Sequence, residues 1–556
     1  MLKRVLLIFA LFAIPSTAIA QGGVVSSADP RATEAGREIL RAGGSATDAA
    51  MAMMLALTVV EPQSSGIGGG GFLVHHDGKA QKIETIDGRE TAPRSASPDL
   101  FLDDSGKPIG YRDAFQGGHS VGVPGNIRLM ADAHKRWGKL AWPRLFEPAI
   151  RLADKGYTVN ATLAGRLAMI APLWARFPDA QALYWENGKP KVQGATVKNP
   201  ALASLLRRIA AEGPDAFYTG PAGKALVDAV SKAPVNAVSM TLSDLAAYKA
   251  KDRDAVCAPY RRFKVCGMGP PSSGATTVLQ ILGMIERFDI KAMGKDDPKA
   301  WHLIAEAMML AYADREMYLG DPDFVKVPVA GLIDRAYLAE RSKLIAPETS
   351  LAAYEPGVPP GAEPRTYAVS KEVAGTTHFV AVDGQGNVAN MTSTIEGPFG
   401  SQLVASGMFL NNELTDFTFA PMLNGAPVAN RVEPGKRPLS SMSPTIVYDE
   451  NGKVVLALGS AGGKRIIMHI TKTLIGYMDF GLSAADAIAL PNIYFGGDAV
   501  MVEKDTPLAA KLPELSKLGR TAVASDLGSK VNAIEWTPQG WRGAADPRSE
   551  GTVLAE

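Results

Sequence analysis

Two threonines and a glycine stand where a self-activating nucleophile can be built. Residues 375–396, GTTHFVAVDGQGNVANMTSTIE, divide into an apolar run at 379–382, the turn Asp383-Gly-Gln-Gly-Asn387, and a second run at 388–395. Asp-Gly and Gly-Asn supply the backbone conformations of a hairpin loop, so the stretch is expected to be a β-hairpin. Pairing Asp383 with Val388 and counting outward brings Thr376 to within about a residue of Ile395, beside Thr394. A threonine nucleophile needs a base, and its own α-amine serves once the preceding peptide bond is cut. Gly375 before Thr376 suits such a cut, because glycine tolerates a closely approached backbone. Edge threonines of an ordinary hairpin satisfy the same local pattern. The remainder of the chain has to decide between the two.

Three further groups carry chemistry. Val454 to Leu458 reads as a strand that enters Gly459-Ser-Ala-Gly-Gly463 and then an apolar helix. The free backbone N–H groups of such a turn can hold an oxyanion. Arg89 follows a strand among small residues, where a guanidinium can clamp a carboxylate. Glu413 and Asp416 form a polar cluster at a strand end within 409–417. The glycine-dense loop at 63–72 lacks the Lys and Ser/Thr ending of a phosphate-binding loop and enters a strand. Close packing of backbone is its expected role.

The elements that must position these groups are mixed. Residues 32–60 read as two helices broken at Gly43-Gly44, with Ser45 or Thr47 starting the second. Helical text dominates 126–313, and 301–318 is a long apolar-periodic helix. The Pro/Ala/Glu-rich tract at 346–364 reads as an exposed, poorly packed lead-in to Gly375. With 556 residues the chain could hold several domains or one large α/β body, and 46% apolar with 21% charged content allows a sizeable core. A net charge of +1 gives no electrostatic case for nucleic acid or an anionic membrane surface. Residues 1–20 have a basic start (Lys3, Arg4), a short apolar run and Ala18-Ile-Ala20, the pattern of a secretory signal peptide. The mature chain is therefore expected to be periplasmic or secreted, with no membrane anchor. Cys257 and Cys266, the only cysteines, can face each other across two short strands and form a structural disulfide in an oxidising compartment.

Taken together these residues resemble the γ-glutamyltranspeptidase family of N-terminal-nucleophile hydrolases. The likeness runs in order through 66–72, Arg89-Glu-Thr-Ala-Pro93, Ser120-Val-Gly-Val-Pro-Gly125, 270–274, 319–324, Thr376-Thr-His378, Asn411-Asn-Glu413, 437–444, 459–463 and Asp546-Pro-Arg548. The resemblance implies a four-layer αββα sandwich. It also implies self-cleavage before Thr376 into a large subunit (21–375) and a small catalytic subunit (376–556). Thr376 would be the nucleophile and its α-amine the base, with Thr394 hydrogen-bonded to the nucleophile's hydroxyl. Gly462 and Gly463 would form the oxyanion hole. Arg89, Ser440 and Ser441 would hold the substrate α-carboxylate, and Glu396, Glu413 and Asp416 its α-amino group. Glu396 departs from the Asn of many members, and the loop between Asp416 and Arg437 has no Tyr or Trp to act as a lid. Both departures bear on substrate preference.

The implied activity is γ-glutamyl hydrolysis and transfer on glutathione-like donors, to water or to amino-acid and dipeptide acceptors. No metal, nucleotide or flavin is required. Two rivals remain at this level. One is a same-family acylase acting on glutaryl or cephalosporin side chains, whose substrates lack the α-amino group. The other is a non-catalytic periplasmic binding protein for peptides or amino acids, which would keep an unbroken chain.

Overall fold

The computed structural model describes residues 19–20, 22–370, 375–496 and 499–556. Residues 1–18, which carry nearly all of the signal-peptide reading, lie outside them. In chain order the principal strands are β1 (Ile19–Ala20), β2 (Val24–Ser27), β3 (Gly70–Asp77), β4 (Lys82–Gly88), β5 (Lys251–Arg253), β6 (Ala255–Tyr260) and β7 (Phe263–Met268). They continue with β8 (Thr376–Val382), β9 (Val388–Thr394), β10 (Thr445–Tyr448), β11 (Val454–Gly459), β12 (Asn532–Thr537), β13 (Gly540–Ala545) and β14 (Thr552–Ala555). They form two seven-stranded sheets, ordered β14-β2-β8-β9-β3-β4-β5 and β1-β13-β12-β11-β10-β7-β6. Every neighbouring pair in both sheets is antiparallel.

The sheets pack face to face, with β8 and β2 of the first against β11, β12 and β13 of the second. Helices α1 (Pro30–Arg41) and α2 (Ala46–Val60) cover the first sheet. Helices α3 (Gly274–Ile285) and α5 (Arg465–Met478) cover the second, and α4 (Pro298–Tyr318) packs on α3. The result is the four-layer αββα sandwich. All fifteen residues of α2 are buried, as expected of a helix that is apolar all round. Gly43, at φ 85°, makes the break before it. Ser45 and Asp48 close a reciprocal capping box at its start.

The hairpin β8–β9 lies at the centre of the first sheet, so both its faces are buried. Phe379, Ala381, Ala389 and Met391 point into the core under α1 and α2. Val380, Val382 and Val388 point into the core between the sheets. This period-two split explains why the hairpin is apolar almost throughout. Each fully buried valine contributes roughly 1.5–3 kcal/mol of transfer free energy. Asn390, on the inter-sheet face, donates to the carbonyls of Thr445 (2.9 Å) and Leu458 (3.1 Å), tying the layers together.

Two expectations need correction. The hairpin register starts at Val382 opposite Val388, which puts Thr376 directly opposite Thr394. Asp383 belongs to the loop because its carboxylate accepts from the N–H groups of Gln385 (2.9 Å), Asn387 (3.1 Å) and Ala46 at the start of α2 (3.1 Å). An Asx-type turn outcompetes a further ladder pair. The tract at 346–364 is irregular but not loosely attached. Tyr354 (2.5 Å) and the N–H of Leu351 (2.9 Å) donate to Glu306, and the N–H of Gly357 donates to Asp314 (2.8 Å), so the segment is laced to α4. Cys257 and Cys266 stand opposite each other in β6 and β7 and are disulfide-bonded.

Candidate active site

The open end of the hairpin is closed in by backbone. A Cβ on Gly68 would lie 2.1 Å from the carbonyl oxygen of Phe409, and one on Gly69 2.0 Å from that of Thr394. The glycine loop before β3 is therefore pressed against the residues that follow the hairpin, the packing role expected of it. Asn411 secures the same junction, donating to the carbonyls of Gly68 and Gly122, both at 2.9 Å.

Thr376 begins β8 and Thr394 ends β9. The Thr376 hydroxyl donates to Oγ1 of Thr394 at 3.3 Å. Thr394 in turn donates to the carbonyl oxygen of Gly375 at 3.1 Å and accepts from the Glu396 N–H at 2.8 Å. One hydroxyl thus spends its single proton on the Gly375 carbonyl and both lone pairs on N–H and O–H donors. Gly375 itself leaves no room for a side chain, since a Cβ there would lie 2.1 Å from the carbonyl oxygen of Glu396. Gly462 (φ 138°) and Gly463 (φ 60°) shape the turn between β11 and α5. Thr376 lies between two cavities, an inner one that includes Gly463 and an outer one that includes Gly462.

The inner cavity is narrow and is lined by Arg89, Glu396, Glu413, Asp416, Ser440 and Ser441 together with both threonines. Every residue named from the sequence except Gly462 and the cysteines thus faces one space. Arg89 is buried and spends four N–H groups on Glu413, Asp416 (2.6 Å) and the carbonyls of Pro438 (3.1 Å) and Leu439 (2.8 Å). A guanidinium has five, so a bound carboxylate would meet one remaining N–H beside the Ser440 and Ser441 hydroxyls. Buried Glu90 is a fourth carboxylate here, 3.9 Å from Arg89. Burial pushes its carboxyl up to about 7 against the pull of Arg89. Burial likewise raises Glu413 well above the ordinary carboxylate range, opposed by Arg89 and reinforced by Glu90 and Glu396. Four carboxylates around one guanidinium leave the inner cavity short of positive charge.

Glu396 adopts φ 73°, a left-handed conformation uncommon for any residue but glycine. Tyr111 (2.9 Å) and Asn412 (2.6 Å) both donate to its Oε2, which orients the carboxylate. Tyr111 was not singled out from the sequence, and Asn412 entered only as part of the Asn411-Asn-Glu413 motif, with no role given. Tyr111 sits in a four-residue helix far from any motif, and nothing local marks it. Arg315 was missed as well. It lies within the stretch read only as a long helix, and it donates to Ser441 and Ser273 Oγ, both at 2.9 Å, and to Glu316 at 2.7 Å. Burial disfavours the Glu316 carboxylate, but Arg315 and Lys464 hold it below its ordinary range. Glu316 accepts from the Ser370 N–H at 2.9 Å, so this cluster grips the chain shortly before Gly375.

Among the described residues no cluster of His, Cys, Asp or Glu has the makings of a metal site. No helix there is long and apolar enough to cross a membrane.

Residues 32–556 match the family model for gamma-glutamyltranspeptidase. The chain belongs to the γ-glutamyltranspeptidase family. Its relatives include the glutathione hydrolase proenzyme of Escherichia coli (strain K12), 38% identical with 96% of this chain and 92% of the relative covered. The acylase ACY 1 proenzyme of Pseudomonas sp. (strain SE83) is 35% identical over 96% of this chain and 93% of its own. Among solved structures, the cephalosporin acylase of Bacillus halodurans superposes with a TM-score of 0.86 at 27% identity, covering 99% of each chain. The fold is thus that of this family's N-terminal-nucleophile hydrolases, and γ-glutamyltranspeptidase-family membership extends over both sheets and the hairpin at their centre.

Proposed function

We propose that this protein is a γ-glutamyltransferase and glutathione hydrolase that activates itself by cutting the Gly375–Thr376 bond. The observation that carries this reading is the Thr394 hydroxyl, which links the Thr376 hydroxyl to the carbonyl oxygen of Gly375. In maturation the Thr376 Oγ attacks the Gly375 carbonyl carbon while Thr394 stabilises the developing oxyanion. The C–N bond breaks, an ester forms, and water hydrolyses it. The products are a Gly375 carboxylate and a free α-amine on Thr376, giving a large chain ending at 375 and a small one of 376–556.

The same groups then serve catalysis. The α-amine takes the proton of the Thr376 hydroxyl as Oγ attacks the γ-carbonyl of the donor. Backbone N–H groups at Gly462 and Gly463 would hold the oxyanion, and the departing amine leaves with the proton. A γ-glutamyl ester on Thr376 remains, and water or an acceptor amine releases it. In the inner cavity Ser440, Ser441 and Arg89 would bind the α-carboxylate. Glu396, Glu413 and Asp416 would bind the α-ammonium.

The surplus of carboxylates in that cavity favours a donor carrying an ammonium group over the des-amino substrates of an acylase. Export to the periplasm or outside the cell remains part of the proposal. Mass spectrometry of the purified protein should find a fragment starting at Thr376, and Thr376→Ala should leave one unbroken chain. Cleavage before position 376 in that variant would end the nucleophile assignment. Faster release from a glutaryl anilide than from a γ-glutamyl anilide would instead make the protein an acylase.

A further inference from the structure

Behind the glycine turn lies a buried polar pair that the mechanism above leaves unused. Ser460 and Ala461 lead out of β11 into the turn, and His469 stands one turn into α5. Both Ser460 and His469 are buried. Nδ1 of His469 lies 3.0 Å from the Ser460 hydroxyl, and that hydroxyl donates to the carbonyl oxygen of Ala461 at 3.4 Å. The imidazole also packs on the turn itself, since a Cβ on Gly462 would lie 3.2 Å from its Cε1. A side chain kept only to fill this space has no need of a polar ring, whose burial costs free energy unless its nitrogens are bonded.

The charge state of the ring gives the bonds a direction. Burial, and then the charges of Lys472, Arg548 and Arg465, push His469 well below its ordinary range, with the Ala461 carbonyl pulling the other way. A neutral imidazole has one N–H. With that proton on Nδ1, His469 donates to Ser460 Oγ, and Ser460 is left to donate its own proton to the Ala461 carbonyl. The opposite tautomer would take the Ser460 proton and leave that carbonyl without it. The Ala461 carbonyl and the Gly462 N–H belong to one planar trans peptide, so they point in opposite directions. Whatever holds the carbonyl from behind therefore aims the N–H forward, into the cavity wall that Gly462 shares with Thr376. Gly462, at φ 138°, has no side chain of its own to hold that plane.

We propose that His469 and Ser460 form a hydrogen-bond relay that aims the Gly462 N–H at the oxyanion, which makes them positioning residues for acyl transfer. This rests on the γ-glutamyltransferase reading and on Gly462 as an oxyanion donor. Formation and breakdown of the acyl-enzyme both pass through an oxyanion at that N–H. A misaimed donor slows both steps and leaves ground-state binding alone. Self-cleavage draws on the Thr394 hydroxyl instead, so it proceeds without the relay.

The test is hydrolysis of γ-glutamyl-p-nitroanilide by His469→Leu, His469→Asn, Ser460→Ala and the double variant Ser460→Ala/His469→Leu, with two-fragment maturation as the check on folding. Mature His469→Leu should show kcat lowered roughly tenfold and KM within about twofold of the wild type. His469→Asn, whose amide nitrogen can stand in for Nδ1, should recover most of that loss. Ser460→Ala should lose as much as His469→Leu, and the double variant no more than either, because a single relay is broken only once. An unchanged kcat in mature His469→Leu or Ser460→Ala overturns the proposal. So do losses that multiply in the double variant, or a His469→Asn enzyme as slow as His469→Leu. Should His469→Leu fail to mature, Ser460→Ala, the smaller change, decides alone. A wild type that releases no p-nitroaniline would sink the γ-glutamyl reading itself, a result distinct from all of these.

Discussion

At the scale of single residues, Thr394 and Tyr111 make separable demands. Thr394 is the only side chain that donates to the Gly375 carbonyl oxygen among the described residues. Replacing it by the near-isosteric valine removes the donor while keeping the volume. Self-cleavage should slow by roughly a hundredfold, the usual order for losing one oxyanion donor, as read from the disappearance of the full-length band after denaturing electrophoresis at timed intervals. Tyr111 acts through Glu396. Burial and the neighbouring Glu396 charge raise its phenol well above the ordinary range, so it stays a donor to that carboxylate. Tyr111→Phe should raise KM for a γ-glutamyl anilide about tenfold with a smaller change in kcat, the size expected for one bond to a charged group. An unchanged KM would remove Tyr111 from substrate positioning. Residue types and order made the threonines, the glycine turn and the acidic cluster legible in the sequence. Tyr111 and Arg315 were hidden because their partners lie hundreds and scores of positions away, respectively, and no local periodicity encodes such pairing.

At the scale of elements, the hairpin is fixed from behind as much as from its sides. His378, paired through Nδ1 with Thr392 Oγ1 at 2.9 Å, presses its ring on Gly459 at the end of β11. A Cβ on Gly459 would lie 2.2 Å from that ring. Gly459→Ala should cost about 1–3 kcal/mol by overpacking and displace the turn that carries Gly462 and Gly463. Chemical denaturation and the anilide assay should therefore fall together, and loss of neither would show that the two sheets have slack at this point. The alternation that makes the hairpin a hairpin was readable from sequence, but its register was off by one. Counting ladder pairs cannot foresee that Asp383 will turn its carboxylate to three N–H groups, one of them on α2. The exposure of the tract at 346–364 was readable, but its attachment was missed for a related reason. Its composition lacks periodicity, yet its hydrogen bonds run to buried acids on α4.

At the scale of the whole molecule, buried histidines set a pH window for stability. His75, stacked on Trp137 at 4.0 Å, and His378 are both pushed down to about 3 by burial, from an ordinary 6.5. The unfolded chain takes up their protons as pH falls below 6.5 and the folded chain does not until about 3, so stability is lost on acidification across that interval. Glu90, raised to about 7 from 4.5, works in the opposite sense between those values, and Glu413, also raised by burial, works in that sense above 4.5. The decline should therefore steepen below about 4.5, which a series of thermal melts from pH 7 to pH 4 would register as a falling Tm. A Tm that still rises on acidification below pH 4.5, where the raised carboxyls no longer contribute, would contradict the neutral state of these imidazoles.

The order of strands in the first sheet has a mechanical meaning once a cut at Gly375–Thr376 is considered. Read across, β14, β8 and β9 come from beyond the cut, while β2, β3, β4 and β5 come from before it. β2 is clasped between β14 and β8, so the two pieces interleave like the fingers of joined hands. Neither piece keeps a continuous sheet without the other. The lone disulfide, Cys257–Cys266, lies wholly within the earlier piece and rivets nothing across the break. A chain cut there is free to expose a new amine at its heart without loosening its frame, since interleaved strands, a shared core and ion pairs such as Arg89–Glu413 still join the halves.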